Sequence, residues 1–124
     1  DIENHVFYAD IDWKLLMKTI RNQAVKYAEI SKFPAVSRDL ALLIDQNVEF
    51  GRIEQIAYQT EKKLLKAVTL FDVYEGKNLP AGKKSYAVNF ILQDTEKTMS
   101  EKAIDAIMQK LIQQLTKQLG AELR

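Results

Sequence analysis

Asp72 stands in the middle of LFDVYEG, residues 70–76, a stretch whose aromatic and β-branched content otherwise reads as a buried strand. An ionised carboxylate in a dry interior costs several kcal/mol, on the order of the whole stability margin of a small domain. This acid must therefore meet water, a partner or a ligand. Residue type alone leaves two readings open: an acid that contacts a ligand, or a charge that keeps an open sheet face from pairing with another chain. Other chemistry is sparse. His5 is the only histidine and there is no cysteine, so a disulfide frame and a thiolate metal centre are excluded and a histidine site has no second ligand nearby. No glycine-rich phosphate loop, nucleophile motif or pair of acids on one helix face is present. Lys77, Lys83 and Lys84 make one locally basic loop, for which a solvated turn is the default reading and a phosphate contact the alternative.

A length of 124 residues with 47% apolar and 28% charged content suits one domain with a real core, whereas two independent domains would each be too small to stand comfortably alone. No apolar run reaches the ~20 residues needed to cross a bilayer, and no charged-then-apolar leader is seen. The expectation is a soluble chain in a reducing compartment, with no membrane partner. It begins with Asp1 rather than Met, in mixed sequence, which points to a piece of a longer polypeptide or a processed product. With 18 basic and 17 acidic side chains the net charge is +1. That balance disfavours a nucleic-acid partner held mainly by its phosphates, because each neutralised phosphate needs a lysine or arginine. Recognition of a few exposed bases by a flat surface needs little net charge and stays open.

The elements that must position Asp72 follow from periodicity. Residues 6–11 (VFYADI) alternate loosely as a short strand, and Asp12 is a fitting N-cap for a helix carrying Leu15, Leu16 and Ile20 on one face. Trp13 and Met17 are expected to pack within this N-terminal appendage, residues 1–30. Pro34 makes residues 28–37 an extended connector. From Arg38 the pattern sharpens. RDLALLID alternates as a half-buried strand, and Ile53, Ile56, Ala57 and Thr60 recur at helical spacing, which predicts a helix over 50–62. LLKAVTLFDVYEG is the next strand, and Pro80 and Gly82 mark the loop after it. KKSYAVNFILQD then sends Tyr86, Val88, Phe90 and Leu92 one way and Ser85, Ala87, Asn89 and Gln93 the other. Thr98 with Glu101 reads as a capping box for a last helix, whose stripe runs from Ile104 through Ile107, Met108, Leu111, Ile112 and Leu115 to Leu119. Gly120 stops it, and AELR has room for only a brief fourth strand.

Strand, helix, strand, strand, helix, strand is the order of the α+β ferredoxin-like, split βαβ sandwich: a four-stranded antiparallel sheet with two helices on one face. If Phe71 and Val73 join the helix-covered side, Asp72 and Tyr74 project from the bare one. Ala41, Asp72, Ser85, Ala87 and Asn89 would then share a floor of small and polar residues on which a planar ligand could lie.

KFPAVSRDLAL, LFDVYEGKNLPAGKKSYAVNF, QDTEKT and the terminal LGAELR resemble, in order and spacing, the C-terminal anticodon-binding module of bacterial phenylalanyl-tRNA synthetase β subunits. The resemblance covers residues 31–124. It implies a non-catalytic tRNA-binding domain of a cytoplasmic aminoacyl-tRNA ligase, whose partners are the anticodon loop of tRNA(Phe), the rest of the β subunit and the α subunit of an α₂β₂ assembly. It places ATP and magnesium in the parent enzyme and no cofactor in this segment. The residues it aligns with anticodon contacts are Ala41, Asp72, Ser85 and Arg124. Tyr74, beside the loop, and Asn89, on the same floor, complete the candidate RNA-binding set.

A second function class uses the same fold without RNA. A ferredoxin-like regulatory or assembly domain would pair its bare face with a second copy or bind a small amino acid. Near-neutral charge and the apolar Leu43 and Ile91 on that face are its support.

Overall fold

The computed structural model describes residues 5–21, 26–27 and 29–124, and the chain divides into two compact units, residues 1–30 and 31–124. In the first, α1 (Trp13–Ile20) starts where Asp12 caps it, the Asp12 side chain accepting from the Leu15 N–H at 3.0 Å. The strand expected over 6–11 does not form. Alternation alone is insufficient, since a strand needs a neighbour to complete its hydrogen bonds. Nor do Trp13 and Met17 pack the appendage: α1 buries none of its residues, and Trp13 is 68% exposed.

The second unit runs β1 (Val36–Asp45), α2 (Phe50–Thr60), β2 (Leu65–Tyr74), β3 (Lys83–Leu92), α3 (Glu101–Leu119) and β4 (Glu122–Leu123). Its strands lie in the order β2-β3-β1-β4, every pair antiparallel. This is the split βαβ sandwich, with α2 and α3 laid on one face. The alternation of β3 places Tyr86, Val88, Phe90 and Leu92 in the core, with Leu42 and Ile44 of β1 beside them. Ile53, Ile56 and Ala57 of α2 and Ile104, Ile107, Met108, Leu111 and Leu115 of α3 close over these side chains. Among the described residues no helix is long and apolar enough to cross a membrane.

The ends of α3 differ in one respect from expectation. Ser100, not Thr98, is the N-cap, its side chain accepting from the Ala103 N–H. Glu101 is then the first helical residue, where it cannot close a capping box, and it pairs instead with Arg38 of β1 at 2.6 Å. Gly120 ends the helix at φ +62°, a left-handed conformation that a β-carbon would strain. The Thr116 hydroxyl donates to the Ala121 carbonyl at 2.8 Å and turns the chain into β4.

Of the basic loop, Lys77 is exposed while the other two lysines are engaged. Lys83 pairs with Asp45 across the β1–β3 ladder at 2.9 Å, and that hydrogen bond raises its pKa above the ordinary lysine value. Lys84 is buried, with its ammonium 4.5 Å from the centroid of the Tyr86 ring.

Among the described residues, the whole buried core belongs to 31–124. Those residues expressed alone should therefore unfold in one cooperative transition, with a thermal midpoint within a few degrees of the full chain. Calorimetry checks this; a broad transition, or a much lower midpoint, would mean that the first thirty residues carry part of the stability.

Candidate functional site

Within residues 31–124 the face opposite α2 and α3 carries no helix, and the bulges in β2 decide what it displays. Leu70 pairs with Val88, a core residue, so strict alternation would send Phe71 to the open face and Asp72 into the core. The ladder instead slips between Leu70 and Asp72, which makes Asp72 the partner of Ala87 and Tyr74 the partner of Ser85. One extra residue resets the phase. Asp72 reaches the open face as expected, but Phe71 lies there too, 59% exposed, rather than on the helix-covered side. Val73 pairs with Tyr86 and is 47% exposed, because the helices do not cover that end of the strand.

Ala41, Asp72, Tyr74, Ser85, Ala87 and Arg124 line one shallow basin of about 450 Å³. Its floor is the β1–β3 pair: Ala41 faces Ala87 across the ladder, and two methyl groups leave the backbone close to whatever lies above. Ser85 is buried at the bottom, more enclosed than an ordinary surface hydroxyl. Asp72 is exposed on the rim and takes part in neither ion pair formed among the described residues, Arg38–Glu101 and Lys83–Asp45.

Arg124 is held in place. Its N–H donates to the Ala41 carbonyl at 3.0 Å, which prolongs the β1–β4 ladder, and its guanidinium lies 5.5 Å from the centroid of the Tyr74 ring. Tyr74 in turn packs on Gly76, where a β-carbon would collide with the phenol. Gly76 thus belongs to the site as the residue that lets the ring lie down. Tyrosine and arginine together form one wall, joined by a cation–π contact worth about 0.5–1 kcal/mol at such an exposed site.

Asn89 is the one candidate that does not line this basin. It lies in an adjoining depression of about 330 Å³ with Asp39, Thr69 and Phe71. Its amide donates to the Ser37 hydroxyl and to the Asp39 carboxylate, contacts that the alternation of β3 could not reveal because they depend on the register with β1.

Residues 31–124 match the model of the family described as "Ferredoxin-fold anticodon binding domain". Over 124 residues the chain is 65% identical to a protein of Bacteroides fragilis and 52% identical to one of Porphyromonas gingivalis, each named phenylalanine–tRNA ligase beta subunit. A protein of the same name from Geobacillus kaustophilus is 42% identical over 103 residues, which is 83% of this chain and 13% of that protein. The whole chain is covered by the first two and spans 15% of the length of each. With the sandwich, the bare face and the match to 31–124 all in one segment, the chain belongs to the ferredoxin-fold anticodon binding domain family.

Proposed function

We propose that the chain binds the anticodon loop of tRNA(Phe) on the bare face of its sheet, as the C-terminal module of a phenylalanine–tRNA ligase β subunit. The observation that supports this most is the grouping of Asp72, Ser85, Arg124 and two alanines in one basin that the domain's own helices leave uncovered. A guanine presents two adjacent donors, N1–H and the exocyclic amine, and the Asp72 carboxylate can accept both. Ala41 and Ala87 allow the ring to come close to the sheet. Ser85 can exchange a hydrogen bond with a base edge, and Arg124 with Tyr74 offers a stacking wall or a phosphate contact.

In this reading the chain contributes recognition and no chemistry. Aminoacylation, with its ATP and magnesium, belongs to the α subunit of a cytoplasmic α₂β₂ enzyme, and the remaining length of the β subunit joins this module to it.

Stacking contributes about 1–3 kcal/mol per base, and a net charge of +1 adds little attraction to phosphate. The isolated chain should therefore bind a phenylalanine anticodon stem-loop only at micromolar concentrations or weaker, with amide shifts confined to the open face in an NMR titration. Changing the guanine should weaken it further. Submicromolar binding by the fragment would contradict the expected modest affinity. A stable dimer that buries the sheet face and ignores RNA in sedimentation would favour the regulatory or assembly reading.

A further inference from the structure

We infer that Phe71, Asp39, Thr69 and Asn89 form a second nucleobase subsite, which takes the base next to the one at Asp72 by stacking it on the Phe71 ring and accepting from its exocyclic amine. This rests on the anticodon-loop reading above and extends it to a depression that the candidate residues other than Asn89 do not touch.

A single exposed phenylalanine is ordinary on a protein surface. Three observations make this one different. Phe71 follows the core-facing Leu70 and so falls on the open face, and the slip between Leu70 and Asp72 leaves it there as the unpaired extra residue while bringing Asp72 onto the same face, so the ring's exposure is built into the ladder. Phe71 and Asp72 are consecutive, so the two depressions adjoin and consecutive nucleotides can occupy them without a break in the RNA. The depression, about 330 Å³, has the size of a small-ligand cleft and joins an aromatic surface to fixed polar groups.

Those polar groups are oriented before any ligand arrives. The Asn89 amide nitrogen is committed to the Ser37 hydroxyl and the Asp39 carboxylate. A carboxylate neighbour accepts and never donates, which fixes the NH₂ side of the amide towards it and leaves the carbonyl as the outward group. Among the described residues, no side-chain hydrogen bond uses that carbonyl oxygen or the second oxygen of Asp39. The subsite therefore offers acceptors. Adenine and cytosine, whose amines are donors, suit it; a uracil carbonyl in the same place would face a carboxylate. The Asp39 charge also repels phosphate, so the base and not the backbone lies over this part of the sheet.

The test is a titration of the 124-residue chain and its Phe71→Ala, Phe71→Leu, Phe71→Trp and Asp72→Asn variants with the phenylalanine anticodon stem-loop. Parallel loops carry an abasic site on either side of the guanine. Phe71→Ala and Phe71→Leu should each weaken binding about tenfold, and Phe71→Trp should keep it, because stacking needs a π-face. One of the two abasic loops should bind the parent chain about tenfold more weakly and lose nothing further in Phe71→Ala. Thermal melts of the variants should match the parent, since the side chain is exposed on an edge strand. Phe71→Ala within about twofold of the parent, with Asp72→Asn weakened, overturns the second subsite and leaves the first standing. Normal binding by both variants overturns both. Leucine restoring affinity would show plain apolar packing, and loss of self-association rather than RNA binding would show a protein contact; either result overturns the stacking role.

Discussion

Replacing Phe90 with alanine should lower the unfolding free energy by about 3–5 kcal/mol, the range measured when a buried aromatic is truncated to alanine. Phe90 is fully buried on β3, between Val68 of β2 and Arg38 of β1 in the ladder, and it belongs to the cluster that α2 and α3 close over. Collapse into the vacated volume is restricted, because strands pin the site from both sides. A domain of this size has about 5–15 kcal/mol in total, so the variant should be partly unfolded at 37 °C or close to it. Urea denaturation followed by circular dichroism reads the effect as a lower midpoint at unchanged slope. Phe71→Ala is the matched control. The same atoms are removed from an exposed position on the same sheet, and the change should stay within about 0.5 kcal/mol. Similar effects for the two variants would mean that the helix-covered face has been assigned to the wrong side.

That contrast also marks what was legible in the sequence. β3 was, residue by residue, because it is a central strand without an irregularity and its period of two maps directly onto two faces. The stripe of α3 was equally clear, since five of its seven apolar positions are buried and the other two, Ile112 and Leu119, are half-buried. β2 was not. Its register slips at Lys66 and again at Phe71, and no residue type there announces an extra position. The inference that Asp72 is outward survived because a carboxylate resists burial, while the matching inference for Phe71 failed because an aromatic tolerates either face. The cap of α3 was misplaced by two residues for a related reason. Thr98 and Ser100 are both competent caps, and the choice depends on where the chain leaves the sheet. The basin's membership was within reach of alternation combined with fold order. Its division from the Asn89 depression was not, because that follows from hydrogen bonds between Asn89 on β3 and Ser37 and Asp39 on β1.

In a complete phenylalanine–tRNA ligase carrying this module, Asp72→Asn should lower kcat/KM for the tRNA by about 10- to 100-fold, from the loss of charge-assisted hydrogen bonds worth about 1.5–3 kcal/mol. The substitution keeps the size of the side chain but replaces one acceptor with an NH₂ donor, which meets the guanine's own donors head on. The loss should appear in KM rather than kcat, because a contact at the anticodon is made equally in the ground and transition states. Amino-acid activation, followed by pyrophosphate exchange without tRNA, should not change, since the proposal assigns this chain no reacting group. Stability should not change either, because Asp72 is exposed and lies in neither ion pair of the described residues. A tRNA whose guanine is replaced by adenine supplies the other half of a double-mutant cycle. If the carboxylate and the guanine meet, each change alone should be costly and the second should add little to the first. Full additivity, or a variant that charges wild-type tRNA at the parental rate, would detach Asp72 from the anticodon and return it to the role of a charge that keeps an open sheet soluble.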